Sequence, residues 1–139
     1  MRDYDAVHFA THGILNEHAP AFSALLTSSG RLALYKLPRI KVRASLVVLS
    51  ACETGLGKLM AGSEVIGLTR AFLEAGASSV VSSLWKVSDE GSAILREQFY
   101  RNLKAGQPPM SALREAALAL RKKYPHPFYW APFFFAGDG

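Results

Sequence analysis

The sequence predicts one α/β domain whose mostly parallel sheet lies between layers of helices, and three observations lead to this fold class. Apolar runs at 4–11, 45–51 and 78–85 are rich in β-branched and aromatic residues and have the length of buried strands. Their apolar character is continuous rather than alternating, which is typical of parallel strands covered on both faces. The segment 63–75 has apolar residues at helical spacing and ends at Gly76, so strand, helix and strand form a right-handed βαβ unit. We therefore expect a three-layer α/β/α sandwich.

The remaining elements follow from local signals. Two short apolar stretches on either side of Ser28-Ser29-Gly30 predict a β-hairpin. Residues 36–44 form a basic connector that contains Pro38. Further along the chain we expect a helix from Ser88 or Asp89 to Ala105, a helix from Pro109 to Lys123, and a last strand over about 131–136.

Composition and charge restrict the function classes. The 139 residues fit a single domain, 1–139, that is large enough to bury a core. The net charge is +5, but Lys and Arg are spread over 31–43, 96–104 and 114–123 without a dense basic run, which argues against a nucleic-acid groove. No apolar run reaches the roughly 18 residues of a membrane span, and the first residues do not resemble a signal peptide. The single cysteine suits a reducing compartment, so we expect a cytoplasmic location.

Two of the predicted strands end in residues suited to nucleophilic catalysis. The first run leads into His12-Gly13 and the second into Ala51-Cys52. Active sites of open α/β sheets lie off the carboxyl ends of the strands, where neighbouring tips are about 5 Å apart. A cysteine nucleophile needs an imidazole to take its proton and N–H donors for the oxyanion, here the amides of Gly13 and Cys52. In the alternative interpretation Cys52 is a small buried residue and His12 a polar residue whose hydrogen bonds are satisfied.

Residues around this site also have two interpretations each. Asp89 either stabilises the N-terminus of a helix or acts as a pocket acid that selects Arg or Lys. Trp85 either lines the cleft or belongs to the core. Glu53 and Glu64 either orient His12 or meet a basic substrate, or they are an ordinary loop acid and an ordinary helix-start acid.

Metal, nucleotide and redox sites are not expected. On one strand His8 and His12 would lie about 13 Å apart, too far for a shared zinc ion, so His8 is interpreted as a structural strand residue. The glycine-rich segment 55–62 lacks the spacing of a phosphate-binding loop, and no resolving cysteine accompanies Cys52. We therefore expect no cofactor.

Several motifs together resemble the CHAT domain, a module of the caspase-like cysteine protease clan that usually accompanies tetratricopeptide repeats. The motifs span nearly the whole chain and comprise "FATHG" (9–13), "VVLSACETGLG" (47–57), "GSEVIGLTRAFLEAGASSVVSSLW" (62–85), "FYRNL" (99–103) and "HPFYWAPFFFAG" (126–137). Family members carry further strands and helices ahead of "FATHG". We therefore expect this chain to be the C-terminal part of a longer domain, without its N-terminal edge strands.

The resemblance implies a caspase–hemoglobinase fold with His12 and Cys52 as the catalytic dyad. It also implies that substrate backbone pairs with the segment Leu84–Val87, which includes Trp85 and Lys86, and that Ser50 lines the primary specificity pocket. The predicted function is a cysteine endopeptidase that acts on protein substrates, with a tetratricopeptide-repeat or other regulatory protein region as its partner. The alternative is a non-catalytic CHAT-type domain for protein interaction or scaffolding.

Overall fold

The elements of the fold are known for most of the chain. The computed structural model describes residues 4–14, 16, 18–50, 53–54, 62–85 and 87–139. The strands are β1 (Tyr4–Phe9), β2 (His12–Ile14), β3 (Ala24–Thr27), β4 (Gly30–Ala33), β5 (Ala44–Leu49), β6 (Glu53–Thr54), β7 (Ser79–Ser83) and β8 (Phe133–Gly137). The α-helices are α1 (Gly62–Glu74), α2 (Asp89–Lys104), α3 (Pro109–Lys123) and α4 (Pro127–Trp130), and 3₁₀-helical turns occupy Pro20–Phe22 and Leu34–Arg39.

The main sheet has the strand order β1-β5-β7-β8. Strands β1, β5 and β7 are parallel, with Phe9 opposite Leu49 and Val48 opposite Val81. Strand β8 closes the far edge in the antiparallel direction. The sheet is mostly parallel, as the continuous apolar strands predicted, and β5–α1–β7 is the expected βαβ unit.

Helices cover both faces of this sheet, because alternate residues of β5 point to opposite sides. On one side Val47 packs with Phe72 of α1, and both side chains are fully buried. On the other side Val48 packs with Leu95 and Phe99 of α2 and with residues of α3. The architecture is therefore the predicted three-layer arrangement.

The helix ends follow the local signals in the sequence. The Ser88 hydroxyl accepts a hydrogen bond from the Gly91 N–H at 3.2 Å and so caps α2. Acidic residues occupy the first turn of this helix and basic residues its last turn, which suits the helix dipole. Helix α3 has the predicted bounds, Pro109–Lys123. No helix in the described part of the chain is both long and apolar enough to cross a membrane.

A second sheet, with the order β4-β3-β2-β6, is absent from the sequence-based expectation. The first strand was expected over 4–11, leading into His12-Gly13, but β1 ends at Phe9 and residues His12–Ile14 form β2 in this second sheet. Thr11 lies between the two strands, and its hydroxyl donates to the Leu26 carbonyl at 2.5 Å. The predicted hairpin is present as β3 and β4.

The connector at 36–44 is also more ordered than the sequence suggests. It overlaps the 3₁₀ turn Leu34–Arg39, which buries Leu37 completely in the core beneath α1. The short helix α4 and the strands β2 and β6 were not expected either.

Candidate active site

The carboxyl ends of β1 and β5 lie side by side, as the catalytic interpretation requires. Phe9 is opposite Leu49, and the Ser50 N–H donates to the Phe9 carbonyl at 3.0 Å. His12 follows Phe9 by the same number of residues as Cys52 follows Leu49. The segments that follow Phe9 and Leu49 therefore begin at paired positions of the main sheet.

These two segments pair again beyond the main sheet. Strands β2 and β6 are parallel, with His12 opposite Glu53 and Gly13 opposite Thr54. The backbone of His12 is thus aligned with the residue that directly follows Cys52. Gly13 is buried, and Cys52 itself lies outside the described residues.

A cavity of about 400 Å³ opens beside these strand ends, between the main sheet and α2. Four of the predicted substrate-binding residues line it together: Ser50, Trp85, Val87 and Asp89. Its floor is apolar and includes the buried side chains of Val48, Val81, Leu95 and Phe99. Leu84, also predicted, is not among the lining residues, and Lys86 lies outside the described part of the chain.

Trp85 forms a rigid side of the cavity. Its indole N–H donates to the Phe128 carbonyl at 3.0 Å, and its ring stacks on that of Phe128 with centroids 6.4 Å apart. The neighbouring backbone groups already form hydrogen bonds within the domain. The Leu84 N–H donates to the Pro132 carbonyl, and the Trp85 carbonyl accepts from the Ser83 hydroxyl. These bonds limit the backbone groups of Leu84–Val87 that remain for a substrate.

Ser50 is held by a chain of hydrogen bonds. Nε2 of His8 lies 2.7 Å from Ser50 Oγ, and Nδ1 of His8 lies 2.8 Å from the Tyr100 hydroxyl. Desolvation of the partly buried ring, followed by the charge of Arg96, lowers the pKa of His8, so the neutral imidazole is favoured. Desolvation raises the pKa of Tyr100, so its hydroxyl stays protonated. His8 was interpreted as a plain strand residue, but it fixes a side chain of the cavity wall.

Arg96 is the second residue that the sequence reasoning missed. It lines the cavity, and its Nε donates to the Ser92 carbonyl at 3.2 Å. Asp89, Ser92 and Arg96 all line the cavity, and their spacing along α2 places them on one helix face. That spacing was a usable signal once α2 was assigned, but the sequence does not say which face of the helix meets the sheet.

Comparison with known proteins decides the family. The sequence profile of the CHAT domain matches residues 1–138. The chain belongs to the CHAT domain family. The caspase-like α/β architecture expected from the motifs is thereby confirmed for this CHAT domain.

Relatives of this CHAT domain occur within much longer proteins. Tetratricopeptide repeat protein 28 of Homo sapiens is 37% identical over 126 residues, and the protein of the same name from Mus musculus is 34% identical over 126 residues. Each alignment covers 89% of this chain but only 5% of the relative. The expectation that CHAT domains occur together with tetratricopeptide repeats is thus confirmed for these two relatives.

Proposed function

We propose that the chain is the catalytic part of a caspase-like cysteine endopeptidase, with His12 and Cys52 as its dyad. The observation that carries this proposal is the parallel pairing of β2 with β6, which sets His12 opposite Glu53. The residue before Glu53 is the only cysteine in the chain. Family membership supports the same conclusion, because CHAT domains belong to the caspase-like clan.

In the proposed reaction His12 takes the proton of the Cys52 thiol, and the thiolate attacks the carbonyl carbon of the scissile peptide. The amides of Gly13 and Cys52 donate to the oxyanion of the tetrahedral intermediate. Protonated His12 returns the proton to the leaving amine, and a thioester remains on Cys52. Water, deprotonated by His12, then hydrolyses the thioester and releases the free carboxylic acid.

The cavity supplies the proposed substrate-binding surface. A side chain of the substrate enters between Ser50 and Trp85, while its backbone runs along Leu84–Val87 near Asp89. The apolar floor holds the aliphatic part of the entering side chain. Lys86 is kept in the proposed set because it lies in the same segment.

We further propose that a tetratricopeptide-repeat or other regulatory region contacts the segments 13–22 and 53–62. The support is that two relatives of this domain are tetratricopeptide repeat proteins. Added repeat region is expected to protect both segments from limited proteolysis, and equal cleavage with and without it contradicts the proposal. A reducing compartment such as the cytoplasm is the proposed location, because the reaction requires a free thiol.

Covalent labelling tests the dyad directly. A reactive thiolate displaces the carboxylate of a peptidyl acyloxymethyl ketone and keeps the peptidyl ketomethyl group as a thioether. Intact mass identifies the site because the chain has one cysteine. The wild-type chain is expected to gain one adduct, Cys52→Ala none, and His12→Ala to react at least about 100-fold more slowly, since general acid–base catalysis contributes about that much.

The exposed His18 offers a matched control, and His18→Ala is expected to label at the wild-type rate. Labelling that proceeds equally in His12→Ala contradicts the dyad. If Cys52 alkylates with iodoacetamide but not with any peptidyl reagent, the result favours the interaction-domain alternative.

A further inference from the structure

The charges on the cavity wall are arranged along α2. Asp89 stands at the exposed start of the helix, and Arg96 follows two turns later, about 10 Å further along the axis at 1.5 Å per residue. Asp89 has a sufficient structural reason in the helix dipole, because it occupies the first turn together with Glu90. Arg96 has no comparable explanation from the helix, since its positive charge lies in the middle of α2.

Arg96 makes no ion pair with a carboxylate in the described part of the chain. Among the described residues, Nε of Arg96 donates to the Ser92 carbonyl, which engages one of the five N–H donors of the guanidinium. Arg101, on the solvent side of the same helix, pairs with Glu97 at 2.5 Å. Within the described residues, α2 thus supplies a carboxylate for its surface Arg101 and none for Arg96 beside the cavity.

Ser50 is a second polar residue on the wall of the same cavity. Ser50 and Arg96 line the same cavity, and the charge of Arg96 contributes to the lowered pKa of His8, whose Nε2 lies 2.7 Å from Ser50 Oγ. When the Tyr100 hydroxyl donates to Nδ1 of His8, the proton of the neutral ring is on Nε2 and is donated to Ser50 Oγ. The Ser50 O–H is then free to donate into the cavity.

We propose that this cavity selects an acidic side chain of the protein substrate, with Arg96 as its cation and the Ser50 hydroxyl as its second donor. The inference rests on the proposed peptidase function and names the substrate class of that site. A carboxylate accepts charge-assisted hydrogen bonds from both groups, and a planar guanidinium matches it in two-point contact. His8 and Tyr100 are positioning residues that act through Ser50.

The proposal competes with the interpretation of Asp89 as a pocket acid that selects Arg or Lys. Both residues line one cavity, so the preferred charge of the substrate decides between them. Asp89 is exposed at the rim, where water and salt weaken its field over about 10 Å. Arg96 is less exposed and lies beside the apolar floor formed by Leu95 and Phe99.

Peptide substrates that differ only at the cleaved position test the proposal on the full chain. We expect kcat/KM for Asp or Glu to exceed that for Asn or Gln by about 10- to 100-fold, the range for hydrogen bonds to charged groups. Arg96→Ala should remove this preference, Arg96→Glu should shift it towards Lys and Arg, and Arg96→Lys should retain part of it. Arg101→Ala is the matched control and should keep the wild-type preference.

Equal rates for Asp and Asn substrates overturn the proposal. A preference for Lys or Arg that survives in Arg96→Ala and disappears in Asp89→Asn also overturns it and assigns the selection to Asp89. Thermal unfolding of each variant separates loss of preference from loss of folding.

Binding to the Cys52→Ala chain gives a second readout that does not need catalysis. The indole N–H resonance of Trp85, beside the cavity, is expected to shift with an acidic peptide and not with its amide analogue, while Trp130 stays unchanged. If no peptide is cleaved but the acidic peptide binds, the peptidase proposal fails and the inference about the cavity stands. If neither peptide binds, the inference fails.

Discussion

Truncation of Phe72 to Ala probes the packing that supports the whole site. Its side chain is fully buried between α1 and the main sheet, and its ring lies 5.2 Å from that of Phe9 at the end of β1. Removing a buried phenyl group costs about 3–5 kcal/mol in lost transfer energy and residual cavity. For 139 residues the unfolding entropy is about 0.3 kcal/mol/K, so Phe72→Ala should lower Tm by about 10–17 °C.

The assay is thermal unfolding by calorimetry or circular dichroism, with an exposed phenylalanine as control. Phe22 is 60% exposed and pairs with Tyr35, so Phe22→Ala should lower Tm by only a few degrees. If Tm falls no further in Phe72→Ala than in this control, the packing of α1 on the sheet does not contribute the stability assigned to it. A folded Phe72→Ala chain should also label more slowly at Cys52, because the ring of Phe72 contacts Phe9, three residues before His12.

Three further changes test particular contacts. Gly137→Ala should lower stability by about 1–3 kcal/mol, since φ is +112° and a Cβ would lie 2.3 Å from the Ser78 carbonyl oxygen; an unchanged Tm refutes this reading. Desolvation and then the charge of Arg96 lower the pKa of His8 below its ordinary value of 6.5. The contribution of the neutral imidazole to stability is therefore complete above pH 6.5 and is lost as the pH falls towards the lower pKa of the folded state. Tm measured between about pH 7.5 and 5 should show that loss, and His8→Gln should flatten it. Asn102→Ala should cost about 1–3 kcal/mol in urea unfolding, because buried Asn102 donates to the Ala112 carbonyl at 3.1 Å; a midpoint within error of wild type contradicts it.

The sequence predicts well where the signals are local. The start of α2 is marked by the capping side chain of Ser88, and its end by Gly106, which has a positive φ. The start of α3 is marked by Pro109, whose ring fixes φ. Both helices were therefore predicted almost to the residue. Continuous apolar runs likewise identify β1, β5 and β7. These elements together determine the fold class.

The second sheet and the charged side of the cavity could not be predicted in the same way. Strands β2 and β6 have three and two residues, which is too short for any periodic pattern, and they exist because tertiary pairing aligns them. Arg96 and His8 acquire a role only when α2 is laid across β1 and β5. Their residue types alone are equally consistent with an ordinary solvated surface.

The division of the strands between two sheets has a consequence for how such a domain can change during evolution. The backbone alignment of His12 with Glu53 is a property of the small sheet, while the cavity is built from the large sheet and α2. Substitutions on α2 can therefore alter which substrates are accepted and leave the proposed reaction centre intact. Binding at the β3–β4 hairpin, conversely, would act on the small sheet and, through the hydrogen bond from Thr11 to Leu26, on one edge of the cavity. The proposed selectivity can thus change through α2 without a change in the proposed dyad.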